Sequence, residues 1–468
     1  MKLDADAVIW SPGSPRAASE LPFTVQTLAV SLRPGDYDGL LCSWQNTTGA
    51  SPTRLEVLSA DHGPELGFTL ELSDKYLPIR LCAPLKVIGS HEPHEILLRH
   101  LGYRLEFFVD GVLVDEDWPA GFPLRLTGDI CFHHPAVTRV TGWPRALDDA
   151  TVRALCGSSL ATEDKFFGPE RPIAQGWRPR GFNVNVGDCM PYWHDGRFHL
   201  FYLRDRRFHR SMWGRGAHQW AHASTTDLRH WEQHPLAVTL RAPEAGSICT
   251  GSVIFHDGVH HAFYTVKRFD RTPAPLCVST SRDGIAFTPH GPLCTLREPY
   301  HAPSGRDPFV FFREGQFHML LTTSLVSASG MTGCLAHLVS DDLKNWEQRD
   351  PFFIPDADYQ PHQPECSDYF EWNGWYYLIF GIEGVSHYRL ARQPFGPWIR
   401  PDDDTFDDPR ARVMKTAPFG SHRRLGVAFE RDRGPWGGIL RFRELVQRPD
   451  GTLTTRWPEE LPPFAGQI

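Results

Sequence analysis

The amino-acid sequence predicts an all-β protein in which a five-bladed β-propeller is preceded by a β-sandwich (jelly-roll) domain. Its 468 residues include 40 Gly and 40 Pro and show little helical periodicity, which is typical of many short strands separated by turns. A repeat of about 60 residues runs through the later part of the chain, whereas the earlier part has hairpin signals without that period. We therefore expect a sandwich over residues 1–165, a linker over 166–180 and the propeller over 181–468.

The repeat is a polar turn followed by an apolar, aromatic strand. Its first copy reads Asp-Gly-Arg-Phe-His-Leu-Phe-Tyr at 195–202. Four strands fit into one period, and units of this kind stack radially into a propeller. A fifth turn of this repeat is expected near Gly434. The preceding turn glycines are spaced 62, 57 and 59 residues apart, at Gly196, Gly258, Gly315 and Gly374.

A second motif interleaves with the first and predicts a turn that leads into an outer strand with a buried aromatic residue. Residues 224–232 read Ser-Thr-Thr-Asp-Leu-Arg-His-Trp-Glu, and residues 340–347 repeat the pattern as Ser-Asp-Asp-Leu-Lys-Asn-Trp-Glu. Residues 281–287 are a looser copy that ends in Phe287.

The first 165 residues have short strands and one predicted helix. Asp110-Gly111 lies between two extended runs and predicts a hairpin. Residues 147–157 predict a short helix with Asp148 as its N-cap and Gly157 just past its end. A strand-rich unit closed by one helix resembles the laminin-G and concanavalin-like sandwiches.

The charge balance and the apolar pattern exclude two classes of partner. Lys plus Arg number 48 and Asp plus Glu 56, so the net charge is −8 and no basic face for nucleic acid is expected. No uncharged apolar run approaches the ~18 residues of a membrane-spanning helix. Acidic residues stand where a signal peptide would be basic and then apolar. We therefore expect a cytoplasmic protein without nucleic-acid or membrane partners, and the sequence leaves its oligomeric state open.

Cysteine and histidine are numerous but lack the spacing of metal sites. The ten cysteines are scattered singly with no C-x-x-C pair, so we expect reduced thiols. His218 and His222 have the i, i+4 spacing of a helical metal pair, but their segment is predicted to be a strand. We expect no metal and no cofactor.

Three carboxylic acids have nearly the same offset from the turn glycines. Asp188 and Asp307 each lie 8 residues before such a glycine, and Glu365 lies 9 residues before its own. The offsets predict that all three are on the first strand of a blade, which lines the central funnel. Carboxylates that converge repel one another, so the pKa of at least one should rise. Cleavage of a glycosidic bond requires a carboxylic acid with a raised pKa beside an ionised carboxylate.

Taken singly, each acid has a plainer explanation. Asp188 could be a turn residue, Asp307 the structural partner of Arg306, and Glu365 an exposed side chain. Their shared offset favours the catalytic interpretation.

At these residues the chain resembles glycoside hydrolase family 32, the invertase and levanase group, along nearly all of residues 182–460. Asp188 is followed by Cys-Met-Pro where the family has Pro-Asn-Gly, and the sandwich-like part precedes the propeller instead of following it. The landmarks occur in the order of the family, as Asn185-Val186-Gly187-Asp188, 219–231, Gly305-Arg306-Asp307-Pro308, Pro364-Glu365-Cys366 and 438–445.

The resemblance implies a role for each acid. Asp188 would be the nucleophile, Glu365 the general acid/base, and Asp307 a transition-state stabiliser steered by Arg306. It also implies retention of configuration through a covalent glycosyl-enzyme, with the two reacting carboxyls about 5–5.5 Å apart. The expected substrate is a β-fructofuranoside or a related small furanoside.

Residues near these landmarks are candidates for binding the sugar. Trp213 lies in a basic, aromatic insertion that should rim the funnel, although a solvated loop is equally consistent with it. The family resemblance reaches Trp220 and His222, and a place in the blade core is the alternative for Trp220. The predicted substrate-binding residues are Arg306, Asn185, Trp213, Trp220, His222, Thr250, His301 and His362.

Two other functions stay open at this point. One is a hydrolase of the arabinofuranosidase or xylosidase type, from the neighbouring clan of five-bladed enzymes that also use three acids. The other is a sugar-binding propeller without catalysis.

Overall fold

The computed structural model describes residues 6–13, 25–44, 51–60, 63–70, 79–89, 91–101, 104–117, 130–157, 160–182, 184–205, 218–239, 246–268, 270–432 and 436–461. Within these residues the chain consists mainly of antiparallel strands, which confirms the predicted all-β class. This part of the chain has no helix with the length and apolar character of a membrane span.

The N-terminal strands form a β-sandwich of two antiparallel sheets. One sheet has the strand order β1-β11-β2-β7-β8-β9 and the other β10-β3-β4-β5-β6. Aromatic residues such as Trp44, Phe68 and Phe107 pack in the core between the sheets, which gives the sandwich its own hydrophobic interior. The strands are β1 (Val8–Trp10), β2 (Thr27–Leu32), β3 (Leu40–Trp44), β4 (Thr53–Leu58), β5 (Glu65–Leu70), β6 (Ile79–Pro84), β7 (His94–His100), β8 (Leu105–Val109), β9 (Val112–Asp117), β10 (Ile130–Phe132) and β11 (Val137–Trp143).

Among the described residues, three short helices accompany the sandwich: α1 (Leu85–Ile88), α2 (Asp149–Cys156) and α3 (Leu160–Phe167). The predicted ends of α2 are confirmed. The Asp148 carboxylate accepts a hydrogen bond from the Thr151 backbone N–H at 2.7 Å, and Gly157 is left-handed at φ 65°. The predicted Asp110–Gly111 turn joins β8 to β9.

The remaining strands form five blades, which confirms the predicted propeller. The first strands of the blades contact one another around the central axis. Blade 1 contains β12 (Asn185–His194), β13 (Arg197–Asp205), β14 (Gln219–Thr225) and β15 (Trp231–Val238); blade 2, β16 (Gly246–His256), β17 (Val259–Arg268), β18 (Leu276–Ser281) and β19 (Thr288–Cys294); blade 3, β20 (Arg306–Arg313), β21 (Gln316–Ser327), β22 (Gly330–Ser340) and β23 (Glu347–Phe353); blade 4, β24 (Glu365–Trp372), β25 (Trp375–Ile382) and β26 (Val385–Ala391); blade 5, β27 (Arg412–Phe419), β28 (Arg423–Arg431), β29 (Gly438–Gln447) and β30 (Leu453–Arg456).

The four turn glycines of the repeat join the first and second strands of blades 1 to 4. All four have φ between 75° and 84°, a conformation that favours glycine. The fifth step differs from the prediction: the corresponding hairpin of blade 5 turns at Gly420, and Gly438 begins the third strand of that blade. Gly434 lies outside the described residues. Blade 4 has three strands among the described residues, so the period shortens before blade 5.

The second sequence motif forms the same turn in three blades. Asp227, Asp283 and Asp342 each accept hydrogen bonds from two backbone N–H groups that follow them in the chain. The Trp231 and Trp346 indoles then donate back to carbonyls of the turn, at 2.9 Å and 3.2 Å. The prediction of a turn that leads into an outer strand is confirmed.

Residues 166–180, predicted to be a linker, are structured and pack against the propeller. Ile173 and Trp177 are buried between blades 1 and 5, and the Gln175 amide bonds both backbone groups of Phe442. Because β12 and β29 share a single residue pair, this segment completes the closure between the first and last blades. Its proline and glycine content indicated irregular backbone, which does not prevent burial.

An ion pair joins the sandwich to the propeller beside the funnel. Arg204, near the end of β13, contacts Glu116 in β9 at 2.7 Å. The Glu116 carboxylate is buried and also pairs with Arg104 of the sandwich. This pair attaches the sandwich at the end of blade 1 at which the catalytic candidates lie.

Candidate active site

Every innermost strand of the propeller contains a β-bulge at the same place. In each one the register with the second strand shifts across four residues, which we number positions 1 to 4. A bulge bends its strand and redirects side chains, here toward the central funnel. The bulge segments are Val186–Cys189, Ile248–Gly251, Arg306–Phe309, Glu365–Asp368 and Arg412–Lys415.

The three predicted acids all lie in these bulge segments, but at different positions. Asp188 is at position 3 of blade 1, Asp307 at position 2 of blade 3, and Glu365 at position 1 of blade 4. The backbone at Asp307 has φ 56°, an unusual value for a residue with a side chain, and Cys366 after Glu365 has φ 51°. The geometry of the bulge thus decides how each acid faces the funnel.

Asp307 is held rigidly by the neighbouring blades. It is 4% exposed, and its Oδ1 accepts a hydrogen bond from the Thr250 hydroxyl at 2.5 Å. Its Oδ2 accepts from the Cys366 backbone N–H at 3.3 Å and lies 3.5 Å from Arg306 Nε. Donors from blades 2, 3 and 4 therefore fix this one carboxylate.

Arg306 joins two of the acids. Its Nη2 lies 2.6 Å from Glu365 Oε1, and its Nη1 donates to Gln363 Oε1 at 2.5 Å. Burial by itself would lower the pKa of Arg306, but the charges of Glu365 and Asp307 raise it. One guanidinium thus neutralises part of the negative charge of the site.

Asp188 is the acid whose titration is most strongly altered. Burial, followed by the charges of Asp307 and Glu365, raises the pKa of Asp188 well above its usual value. The predicted rise is therefore seen at Asp188, whereas the resemblance assigns the proton donor to Glu365. Arg306 lies 2.6 Å from Glu365, whereas Asp188 has no such ion pair among the described residues.

Trp436 is a partner of Asp188 that sequence analysis missed. It donates a hydrogen bond to the Asp188 carboxylate, which opposes the rise in the pKa. Its ring is stacked on His218 with centroids 4.2 Å apart and covers Gly187, where any Cβ would overlap the indole. Glycine before Asp188 therefore leaves the space that this contact requires.

The predicted substrate-binding residues divide into those near the acids and those elsewhere. Thr250 and Arg306 contact the acids directly, and His301 bonds Ser304 Oγ, which in turn accepts from Gln363. Asn185 is buried at the start of β12, and its Oδ1 has no hydrogen-bond partner among the described residues. His362 is exposed ahead of Glu365. Trp213 lies outside the described residues.

Trp220 and His222 do not face the funnel. Trp220 is fully buried between blades 1 and 2 and donates from its indole to the Cys249 carbonyl at 2.9 Å. His222 is stacked on Phe201 and bonded to His199, and burial lowers its pKa to about 2. Both side chains are packing residues in this structure. Sequence spacing predicts that a side chain is on a strand, but it does not predict which face of the blade the side chain occupies.

Two cationic residues of blade 5 complete the surroundings of the site. Arg412 is at position 1 of its bulge, the position of Arg306 and Glu365, and it interacts electrostatically with Asp188 and Glu365. Lys415 is at position 4, buried beneath the acids. Arg412 lies 8 residues before Gly420, so the glycine spacing would have found it had the fifth hairpin been placed there.

A separate groove of about 1700 Å³ runs along the structured segment 168–181 and contains none of the three acids. Its walls include Arg171, Arg178, Arg204 and Trp457. The groove is therefore distinct from the site that contains the three acids.

Residues 188–396 match the N-terminal domain of the glycosyl hydrolases of family 32. This segment of the propeller is similar to that family. The match begins at Asp188 and includes Asp307 and Glu365, so all three acids of the site lie inside the matched segment.

Curated proteins are similar to part of the chain. A probable sucrose-6-phosphate hydrolase of Vibrio cholerae is 27% identical over 234 residues, which are 48% of this chain and 41% of that protein. A raffinose invertase of Escherichia coli is 27% identical over 206 residues, 42% of this chain and 41% of its own. The chain thus spans about two fifths of the curated relatives that it matches.

Solved structures of the family share the fold. A family 32 β-fructofuranosidase of Bombyx mori superposes with a TM-score of 0.51 at 21% identity, covering 67% of this chain and 70% of its own. Fructan 1-exohydrolase IIa of Cichorium intybus gives 0.51 at 19% identity, covering 62% of each chain. At this identity the likeness shows the fold alone.

Proposed function

We propose that the protein is a retaining glycoside hydrolase that cleaves a β-fructofuranoside, with Asp188 as nucleophile, Glu365 as acid/base and Asp307 as transition-state stabiliser. The observation that carries the proposal is that three acids from blades 1, 3 and 4 share one electrostatic environment, in which burial and the charges of Asp307 and Glu365 raise the pKa of Asp188. The match of the same segment to family 32 supports the fructoside over an arabinoside or xyloside.

The mechanism has two displacement steps. In the first, a carboxylate oxygen of Asp188 attacks the anomeric carbon, and the bond to the leaving oxygen breaks as Glu365 donates its proton. In the second, Glu365 takes a proton from water, whose oxygen attacks the same carbon and releases Asp188. Asp307, held by Thr250 and Cys366, accepts hydrogen bonds from sugar hydroxyls throughout.

The reaction requires Asp188 as a carboxylate and Glu365 as the protonated acid. A bound sugar desolvates Glu365 and moves its carboxyl away from water, which favours the productive arrangement. Activity should therefore fall on both sides of an optimum in pH.

A test of the function compares three classes of substrate. Sucrose, aryl fructofuranosides and fructo-oligosaccharides should be hydrolysed, and aryl arabinofuranosides and xylosides should be turned over at least about 10²-fold more slowly. A sugar-binding propeller without catalysis would bind these compounds in a calorimeter and release no product from any of them.

Removal of the Trp436 indole tests the ionisation of the nucleophile. In Trp436→Phe the acidic limb of the pH profile of kcat/KM should move to higher pH by roughly one to two units, because a hydrogen bond to a charged group contributes about 1.5–3 kcal/mol. The sign follows from the donor: without it the protonated form of Asp188 gains, and that form cannot attack. Trp231→Phe, which removes an indole far from the acids, is the control. An acidic limb that stays in place in Trp436→Phe contradicts the assignment.

Arg412 favours a substrate whose leaving group is anionic. Its guanidinium lies across Gly384 and donates to the Glu383 carbonyl, at the end of blade 4 where the funnel opens. It has no carboxylate within ion-pair distance among the described residues, and the charge of Arg431 adds to burial in lowering its pKa. A phosphate on the leaving sugar would relieve this repulsion between cations. The names of several relatives specify sucrose 6-phosphate.

Arg412→Gln should therefore separate two substrates. We expect kcat/KM for sucrose phosphorylated on carbon 6 of the glucosyl unit to fall about 10- to 100-fold more than that for sucrose, because charge-assisted hydrogen bonds are lost. Arg410→Gln, which removes a nearby exposed arginine paired with Asp408, is the matched control. Equal losses for the two substrates would show that Arg412 does not recognise the phosphate.

We further propose a reducing compartment for this reaction. None of the ten cysteines, all of which are described, forms a disulfide in the structure, and Cys189 and Cys366 lie directly beside the acids. Oxidised thiols at these positions would alter the site.

A further inference from the structure

Lys415, a buried lysine beneath the acids, has no role in the proposed reaction. Lys415 is 3% exposed and occupies position 4 of the blade 5 bulge. Its Nζ crosses the propeller axis and donates to the Gly251 carbonyl of blade 2 at 3.0 Å and to the Ser367 carbonyl of blade 4 at 2.9 Å. It also lies 5.0 Å from the centre of the Phe309 ring of blade 3.

These contacts fall on the two segments that hold Asp307. Thr250, whose hydroxyl bonds Asp307 Oδ1, directly precedes Gly251. Cys366, whose backbone N–H bonds Asp307 Oδ2, directly precedes Ser367. A single ammonium group thus connects the strands that supply both of these hydrogen bonds to the carboxylate.

Burying the ammonium group of Lys415 costs free energy of desolvation, and an apolar side chain that only filled the space would not have this cost. Burial lowers the pKa of Lys415, and the charges of Asp368, Asp307 and Asp188 oppose that shift. A methionine would fill similar space and contact Phe309 without the desolvation of a charge. The lysine ammonium group differs from a methionine side chain in its charge and its hydrogen bonds. These hydrogen bonds go to Gly251 and Ser367, the residues that follow the two partners of Asp307.

We propose that Lys415 is a positioning residue that fixes Asp307 for catalysis by tying blades 2 and 4 together beneath it. The inference rests on the proposed function, because Asp307 matters only if it binds the reacting sugar. Lys415 itself does not contact the substrate in this proposal, and its whole effect passes through the orientation of one carboxylate.

A double-mutant cycle with Asp307 tests this route. Lys415→Met should lower kcat/KM for sucrose about 10²-fold, the loss expected from a displacement of roughly 1 Å in a catalytic group. Asp307→Asn should lower it by about 10²–10³-fold. If Lys415 acts through Asp307, the double variant should be within about threefold of Asp307→Asn alone, whereas independent effects would multiply.

Arg424→Met is the matched control for the loss of a buried cation. Arg424 is buried on β28, donates to the Thr416 hydroxyl and lies 3.9 Å from Asp368, and burial lowers its pKa to about 10. It should lower the melting temperature while changing kcat/KM of the folded enzyme less than threefold. A comparable loss of kcat/KM in Arg424→Met would assign the effect of Lys415→Met to general destabilisation.

Two further measurements test the role of Lys415 if Lys415→Met does not fold or if the protein binds sucrose without hydrolysing it. Should Lys415→Met not fold, Lys415→Gln, which keeps N–H donors without the charge, enters the same cycle with the same criteria. The cycle is also read in the dissociation constant of sucrose by calorimetry. A wild-type protein that binds sucrose without hydrolysing it contradicts the proposed function, and the binding cycle still tests Lys415. Losses that multiply, or a folded Lys415→Met with unchanged kcat/KM and affinity, overturn the positioning role.

Discussion

Asp188→Asn should lower kcat for sucrose by at least about 10³-fold, because the amide cannot attack the anomeric carbon and no other described carboxylate lies in the blade 1 bulge. The substitution keeps the shape of the side chain and removes a charge that Asp307 and Glu365 repel. The variant should therefore be at least as stable to heat as the wild type, which separates the loss of activity from a loss of fold. Kinetics and thermal unfolding on the same preparations check both expectations.

The control for this prediction is an aspartate of the same chain that lies outside the funnel. Asp341→Asn removes an exposed carboxylate that accepts from Gln316 at 2.8 Å, far from the bulge segments. It should leave kcat unchanged within about twofold. An Asp188→Asn enzyme that keeps a tenth or more of wild-type activity would remove Asp188 from the role of nucleophile.

Glu365→Ala should lose about 10²–10⁴-fold in kcat on sucrose, whereas kcat/KM for an aryl fructofuranoside with a good leaving group should fall much less. The reason is that an aryl oxygen departs with little protonation, so the acid is dispensable in the first step. Azide needs no general base, and it should restore the second step by attacking the glycosyl-enzyme, giving a fructosyl azide with the configuration of the substrate.

The identity of the azide product tests the assignment of roles. In Asp188→Ala the anion would instead attack from the side of the missing carboxylate and give the inverted product. Asp307→Ala should show no rescue, and Glu371→Gln, which alters an exposed acid on the same strand as Glu365, should behave as wild type. A retained azide product from Asp188→Ala would exchange the roles of Asp188 and Glu365.

Much of the fold was predictable because it depends on short-range signals. The hairpin glycines, the aspartate turns and the Asp148 cap each involve residues within a few positions of one another, and the structure confirms them. The prediction misplaced the fifth hairpin because it assumed a constant repeat length, whereas blade 4 has three strands among the described residues and a shorter repeat. The packing of Ile173 and Trp177 escaped prediction for a similar reason, since burial depends on neighbours more than 200 residues away.

The candidate site was predictable in its acids and unpredictable in its supports. Asp188, Asp307 and Glu365 were found from their offsets, and the structure places all three in the bulges of innermost strands. Trp436 and Lys415 had no such signal, because each meets its partners only across the ring of blades. Trp220 shows the converse, since a resemblance reached a residue that the structure buries in an interblade core.

By itself, then, the sequence determined the class of fold, the number of blades and the strands that carry the acids, since period and turn chemistry are local properties of a chain. Only the tertiary structure decided which side chains share a charge environment, which bulge position each acid occupies, and which cations lie beside and beneath them. The physical reason is that electrostatic and hydrogen-bond energies depend on distances across the propeller axis, and these exist only once the five blades have closed.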